Sequence, residues 1–174
     1  IKADGLAAGK GVIICETIDD AKDGLIKCFK DNSFGEAGSV VVIEEFLVGE
    51  EVSLFSLVDK NGFVLPFTTA QDHKKILEGE KGLNTGGMGA YTPVPSISSN
   101  KMNELSKTFV EPIIRYLAEQ GIKYQGMFYA GLILTDKGPN LLEINVRFGD
   151  PETQAIIPLL ETDLLELLHA SAKG

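Results

Sequence analysis

The sequence predicts an α+β fold with mostly antiparallel sheets and flanking helices, and three observations carry that prediction. Two apolar strand pairs each close on a short polar turn, Lys60-Asn61-Gly62 and Asp136-Lys137-Gly138-Pro139, as antiparallel hairpins do. Helical periodicity falls between and after those pairs instead of alternating strand by strand. The composition is globular: 174 residues, 44% hydrophobic and 24% charged, enough for one domain or two small lobes.

The elements follow in order. Gly9-Lys10-Gly11 leads into an apolar strand, Val12 to Cys15. A helix is expected from Asp19 to about Lys30, capped by Thr17 or Asp19, with Ala21, Leu25, Cys28 and Phe29 on one face. Asn32 to Ser39 reads as a loop, and Val40 to Ile43 as a strand. Val52 to Val58 and Phe63 to Thr69 make the first hairpin. Gln71 to Pro95 holds five glycines and no periodicity, which reads as a long functional loop. Asn100 to Gln120 is an amphipathic helix with Met102, Leu105, Phe109, Ile113 and Leu117 in register. Pro112 should kink or split it, and Gly121 should stop it. Met127 to Leu134 and Asn140 to Arg147 make the second hairpin, and Asp163 to Ala172 a closing helix. The expected division is a small lobe over 1–42 and a large one over 43–174.

A net charge of −9 argues against nucleic acid as a partner. A small anion is still admissible, because a few placed Lys, Arg and backbone N–H groups outweigh a distant negative surface. No run approaches the ~18 apolar residues of a membrane helix, and no signal peptide is visible. Cys15 and Cys28 fit no metal or redox spacing and read as buried thiols of a reduced, cytoplasmic protein. The chain opens on Ile1 inside a strand and stops just after a helix, so a piece of a longer polypeptide is expected.

Four segments carry chemistry. In Leu141-Leu142-Glu143-Ile144-Asn145-Val146-Arg147, a carboxylate, an amide and a guanidinium alternate. Strand geometry would put Glu143, Asn145 and Arg147 on one face and send Leu142, Ile144 and Val146 into the core. Two hard oxygen ligands suit Mg²⁺ completed by phosphate and water, and the guanidinium can fork onto phosphate. Asp150 and Glu152 follow at once. The stretch Ile1 to Val12 is rich in small residues with Lys2 and Lys10, able to wrap phosphates, yet it is neither a Walker A loop nor a Rossmann fingerprint. Glu44-Glu45-Phe46-Leu47 is an extended junction whose backbone could pair with an adenine edge, with Glu51 for ribose hydroxyls. In the long loop, Gly86, Gly87 and Gly89 could form a backbone nest for an anion, with Lys74 as counter-charge. His73 and His169 read as structural, and no nucleophilic triad has support from spacing.

Together IKADGLAAGKGV, VIEEFLVGEE, QDHK, NTGGMGAYTP and LLEINVRFGDPETQ resemble the ATP-grasp superfamily, and within it the glycinamide ribonucleotide synthetases (phosphoribosylamine–glycine ligases). The resemblance implies a two-lobed ATP-grasp fold, with 1–42 as a lid incomplete at its N-terminus and 43–174 bearing the metal. It implies a step of purine biosynthesis in which ATP, glycine and 5-phosphoribosylamine give glycinamide ribonucleotide, ADP and phosphate through glycyl phosphate. By the same resemblance Lys2, Gly9, Lys10 and Gly11 would hold ATP phosphates, Glu44 to Leu47 the adenine, and Glu51 the ribose. Glu143 and Asn145 would bind Mg²⁺ or Mn²⁺, and Arg147 would stabilise the transferring phosphoryl group. Lys74 counts with Arg147 as catalytic. It also lines the pocket for glycine and phosphoribosylamine with Asp72, Asn84, Gly86, Gly87, Met88, Asp150 and Glu152. Many ATP-grasp enzymes add a metal-binding carboxylate from the preceding strand, which Ala130 to Thr135 does not supply. The full-length enzyme is expected to be monomeric. The isolated piece is expected to be inactive as a ligase and open to self-association. Another ATP-grasp ligase or carboxylase, or a non-catalytic nucleotide-binding module, are the alternatives.

Overall fold

The computed structural model describes residues 1–7, 11–79 and 81–174, and at 81–84 the backbone alone. The chain divides into two compact units, Ile1–Val48 and Gly49–Gly174.

The first unit is a small ladder with a helix against it. Strand β1 (Lys2–Ala3) pairs antiparallel with β2 (Val41–Val42) across the chain. On its other edge Ala3 N–H donates to Gly11 O and Ile13 N–H to Ile1 O, each at 2.8 Å. The expected strand Val12 to Cys15 is thus one bridge at Val12, because β1 is too short to pair with more. Helix α1 (Ile18–Phe29) starts at Thr17, whose side chain and Asp20 satisfy each other's backbone N–H groups in a capping box. That bond from Thr17 holds the Asp20 carboxyl below the usual range. Gly24 and Cys28 are its buried positions. Phe29, expected in the core, is 57% exposed. Cys15 is half-buried where burial was expected.

The second unit is a five-stranded antiparallel sheet between two groups of helices. Strands β3 (Glu50–Val58) and β4 (Val64–Asp72) form the first hairpin. The long loop is more ordered than its composition predicts: β5 (Lys75–Leu77) and β6 (Lys81–Asn84) make a small hairpin. Strand β7 (Ala90–Tyr91) then adds to β4. Such short pairings leave no periodicity to read. Helices α2 (Ser99–Leu105) and α3 (Glu111–Glu119) are joined by a π-helical turn over Ser106–Val110, with Pro112 in the first turn of α3. The proline therefore splits the helix where its missing N–H costs least. Strands β8 (Gly126–Thr135) and β9 (Gly138–Asn145) form the second hairpin. Two helices follow: α4 (Glu152–Ile156), which was unforeseen, and α5 (Leu164–Lys173), the expected closing helix.

The sheet order is β7-β4-β3-β8-β9. Central β3 is paired on both sides and covered on both faces, so every residue from Val52 to Val58 is buried and its alternation is muted. Leu54, Val58, Phe128, Ala130 and Leu132 face α2 and α3, packing on Leu105, Val110 and Ile114. Phe55, Leu57, Ala70, Met127 and Tyr129 face the other way, toward Ile156 with Leu167 and Leu168.

Candidate active site

The second face is apolar over only part of its area, and register explains what fills the rest. Ser53 is paired with Ala70 on one side and Gly131 on the other, and Gly131 with Glu143. Phe55, Tyr129 and Asn145 form the next row. Directly paired residues share a face, so Ser53, Tyr129, Glu143 and Asn145 stand together. Glu51 and Asp72 lie two positions along their strands on that same side. Gly131 leaves the floor open: a Cβ there would stand 2.9 Å from Glu143 Cγ.

A cleft of about 450 Å³ opens at this polar end, lined by Gly49 to Glu51 and Gln71 to Lys75. Lys74 Nζ lies 3.7 Å from Glu51 Oε2. Gln71 Nε2 donates to Glu51 O at 2.9 Å, and the Tyr91 hydroxyl to Gln71 Oε1. Asp72 Oδ1 is buried with no hydrogen-bond donor among the described residues. Burial pushes the Asp72 carboxyl up to about 6; Lys74 and His73 oppose the rise, and Glu152 and Glu51 add to it. A carboxylate kept short of donors beside a lysine is suited to receive a cationic or hydrogen-bonding group of a ligand. His73 stacks on Tyr91 at 5.8 Å.

Two loops meet beside the cleft residues His73 and Lys74. Thr85 N–H and Oγ1 donate to Lys74 O at 2.7 and 2.8 Å, and Met88 N–H donates to His73 O at 2.8 Å. Gly87 has φ +128°, and a Cβ on it would stand 2.3 Å from Pro151 Cδ. Only glycine allows this turn to rest on the Asp150-Pro151 segment. Of the three glycines expected to form an anion nest, Gly87 has its N–H bonded to Thr85 Oγ1 at 3.1 Å, while the neighbouring Met88 N–H goes to His73 O. Gly86 and Met88 are exposed. Asp150 is also exposed, with Oδ1 accepting from Gln154 Nε2 at 2.6 Å. Glu152 is buried at 1% exposure beneath the loops.

Glu143 and Asn145 stand side by side, Asn145 Nδ2 donating to Glu143 Oε1 at 3.2 Å. That bond turns the amide nitrogen inward and leaves Asn145 Oδ1 and the second Glu143 oxygen as hard donors. Among the described residues no three His, Cys, Asp or Glu side chains gather for a metal. The pair therefore fits a cation that draws its remaining oxygens from phosphate and water. The rest of the expected strand pattern is corrected. β9 ends at Asn145, so Arg147 lies beyond it, with Nη1 donating to Phe148 O at 3.0 Å. A bulge shifts the register between Gly131 and Leu132, bringing Leu141 opposite Leu132. Leu141 packs on the core, Leu142 is half-buried, and Ile144 and Val146 are 41% and 67% exposed.

In the first unit, Lys2 Nζ lies 3.5 Å from Glu44 Oε1. Gly11 O accepts the Ala3 N–H. Gly9 and Lys10 lie outside the described residues, as does the side chain of Asn84. Glu45, Phe46 and Leu47 lie in no helix or strand and make no backbone hydrogen bond among the described residues, and Phe46 is 57% exposed. Their N–H and C=O groups are available to a ligand edge.

Sequence reasoning passed over Ser53, Tyr129 and Gly131. The available signal was a serine, a tyrosine hydroxyl and a glycine inside otherwise apolar strands, where each needs a reason.

Fold and site together define an ATP-grasp protein. At the level of fold alone, the chain is similar to the biotin carboxylase–beta-gamma-ATP complex from Campylobacter jejuni (12% identity, TM-score 0.58, covering 88% of this chain and 31% of that one). Residues 1–153 match the family described as phosphoribosylglycinamide synthetase, ATP-grasp (A) domain, and the chain belongs to that family. It is similar to the phosphoribosylamine–glycine ligase of Rhizobium meliloti, 51% identical over all of this chain and 41% of that protein. The crystal structure of phosphoribosylamine–glycine ligase from Thermotoga maritima matches with TM-score 0.74 and 38% identity, covering 91% of this chain and 40% of that one. The chain thus spans about two-fifths of the length of these relatives. Among the described residues no helix is long and apolar enough to cross a membrane.

Proposed function

We propose that this chain is the ATP-grasp segment of an ATP-dependent ligase that joins glycine to 5-phosphoribosylamine, giving glycinamide ribonucleotide, ADP and phosphate. The supporting observation is the single sheet face on which Glu143 and Asn145 stand in the same rows as Ser53 and Tyr129, next to the cleft of Asp72 and Lys74. In this reading ATP transfers its terminal phosphoryl group to the glycine carboxylate, and the amine of phosphoribosylamine displaces phosphate from the resulting acyl phosphate. No enzyme nucleophile is required, so the residues act by positioning and charge neutralisation. Lys74 would neutralise the acyl phosphate oxygens, and Asp72 would accept from an amine in the cleft. Arg147, free of the strand, would swing onto the transferring phosphoryl group. Glu143 and Asn145 would hold Mg²⁺ or Mn²⁺, which when bound screens the phosphate oxygens. In the first unit Lys2, with Lys10, would pair with phosphates, Glu45 to Leu47 would offer backbone groups to adenine, and Glu51 a carboxylate to ribose. The setting would be cytoplasmic purine biosynthesis.

Calorimetric titration with a non-hydrolysable ATP analogue, with and without Mg²⁺, tests the reading. Mg²⁺-dependent binding should weaken at least about tenfold in Glu143→Ala, the loss of one charged contact. Unchanged Mg²⁺-dependent affinity in that variant would remove Glu143 from the site.

A further inference from the structure

Glu152, expected to line the substrate pocket, instead ends a buried polar chain with Ser53 and Tyr129. Glu152 is 1% exposed, and a polar group at that depth needs hydrogen-bond partners. Ser53 Oγ lies 3.4 Å from Glu152 Oε1 and 2.8 Å from the Tyr129 hydroxyl. A serine has one proton, and a carboxylate only accepts. The arrangement that satisfies all three groups has Tyr129 donating to Ser53 and Ser53 donating to Glu152, with both protons running toward the charge.

Two close approaches carry the position of Glu152 outward. A Cβ on Gly149 would stand 2.4 Å from Glu152 Oε2, so the carboxylate lies against that backbone. The turn is closed by Thr153 N–H donating to Gly149 O at 3.1 Å. Gly87 in turn rests on Pro151, the middle of the same turn.

We propose that Tyr129 and Ser53 are positioning residues: through Glu152 they set the Gly149–Pro151 turn and, resting on it, the Gly86–Met88 loop at the cleft. The kinetic consequence rests on the ligase reading above; the structural consequence does not.

Tyr129→Phe keeps the ring that packs 4.9 Å from Phe55 and removes one hydroxyl, while Ser53→Ala removes the middle link. Amide hydrogen exchange on the 174-residue chain reads the turn directly. Both variants should speed exchange at Gly149, Asp150, Glu152 and Thr153, and at Thr85 to Met88, by about tenfold, the effect of one hydrogen bond to a charged group. Helices α2 and α3 should be unchanged. Because Tyr129 acts through Ser53, the double variant should exchange no faster than Ser53→Ala alone. In the full-length ligase the same variants should raise the KM for glycine or the amine about tenfold and leave that for ATP within about twofold, a split that general destabilisation would not produce. Unchanged exchange at the turn, additive effects in the double variant, or an equal rise in the KM for ATP would each overturn the proposal. A wild-type enzyme without ligase activity would overturn the ligase reading instead, and exchange at the turn would still decide this inference.

Discussion

The two faces of the five-stranded sheet use the same strands for opposite purposes. On the side of α2 and α3, Leu54, Val58, Phe128, Ala130 and Leu132 close a continuous apolar core. On the other side Phe55, Leu57, Met127 and Tyr129 cover part of the face, and Ser53, Asp72, Glu143 and Asn145 occupy the remainder. One face gains free energy by removing apolar area from water. The other holds carboxylates close together, one of them short of donors, an arrangement that tends to cost stability and serve ligands. Rigid packing behind the strands lets the polar rows keep their spacing.

The comparison breaks most visibly on the apolar side. Phe128 is 1% exposed and meets Tyr124 edge-on at 5.7 Å. Phe128→Ala should therefore cost about 3–5 kcal/mol. Denaturant unfolding would measure it, and below the transition the affinity for the ATP analogue should be retained. A smaller loss is expected from Gly87→Ala, about 1–3 kcal/mol for a side chain forced to positive φ against Pro151. Here ligand binding at the cleft should fall more than stability does; equal losses would place the loop in the scaffold and not in the site.

The smallest effect has the opposite sign. Asp72 titrates at about 6 in the fold against an ordinary 3.8, so between those values the folded chain holds a proton that the unfolded chain has lost. Stability from that proton is complete below pH 3.8 and is lost as pH rises through about 6. Asp72→Asn cannot ionise. Allowing for partial solvent screening, it should melt about 2–4 °C above the wild type at neutral pH and level with it near the acid end of that window. Thermal melts across the range check this, and a lower melting point at neutral pH would show that Asp72 stabilises the fold as an anion.

Much of the scaffold was legible in the residues. Asn61-Gly62 marked a hairpin turn, Thr17 a helix cap, and Gly121, at φ +77°, the end of α3. The pairing of Glu143 with Asn145 followed from period two. Failures came where neighbours outside the local pattern decide. Val146 and Ile144 alternate like core residues but lie on or past an edge strand, and stay 67% and 41% exposed. Arg147 continues the alternation after the ladder has stopped. Of the loop glycines expected to form an anion nest, Gly87 spends its N–H on Thr85 Oγ1, a partner two residues back in the same loop.

What the sequence determined by itself is whatever depends on a few neighbouring residues: turn conformations, caps, periodicity and the chemical character of each motif. Only the tertiary structure decided which motifs meet. Ser53 reaches Tyr129 across 76 positions and Glu152 across 99. Gly131 stands opposite Glu143 because of the hairpin register, while the neighbouring bulge re-aims Leu141. Register and long-range contact arise from packing the whole sheet, and a one-residue slip would reverse every face.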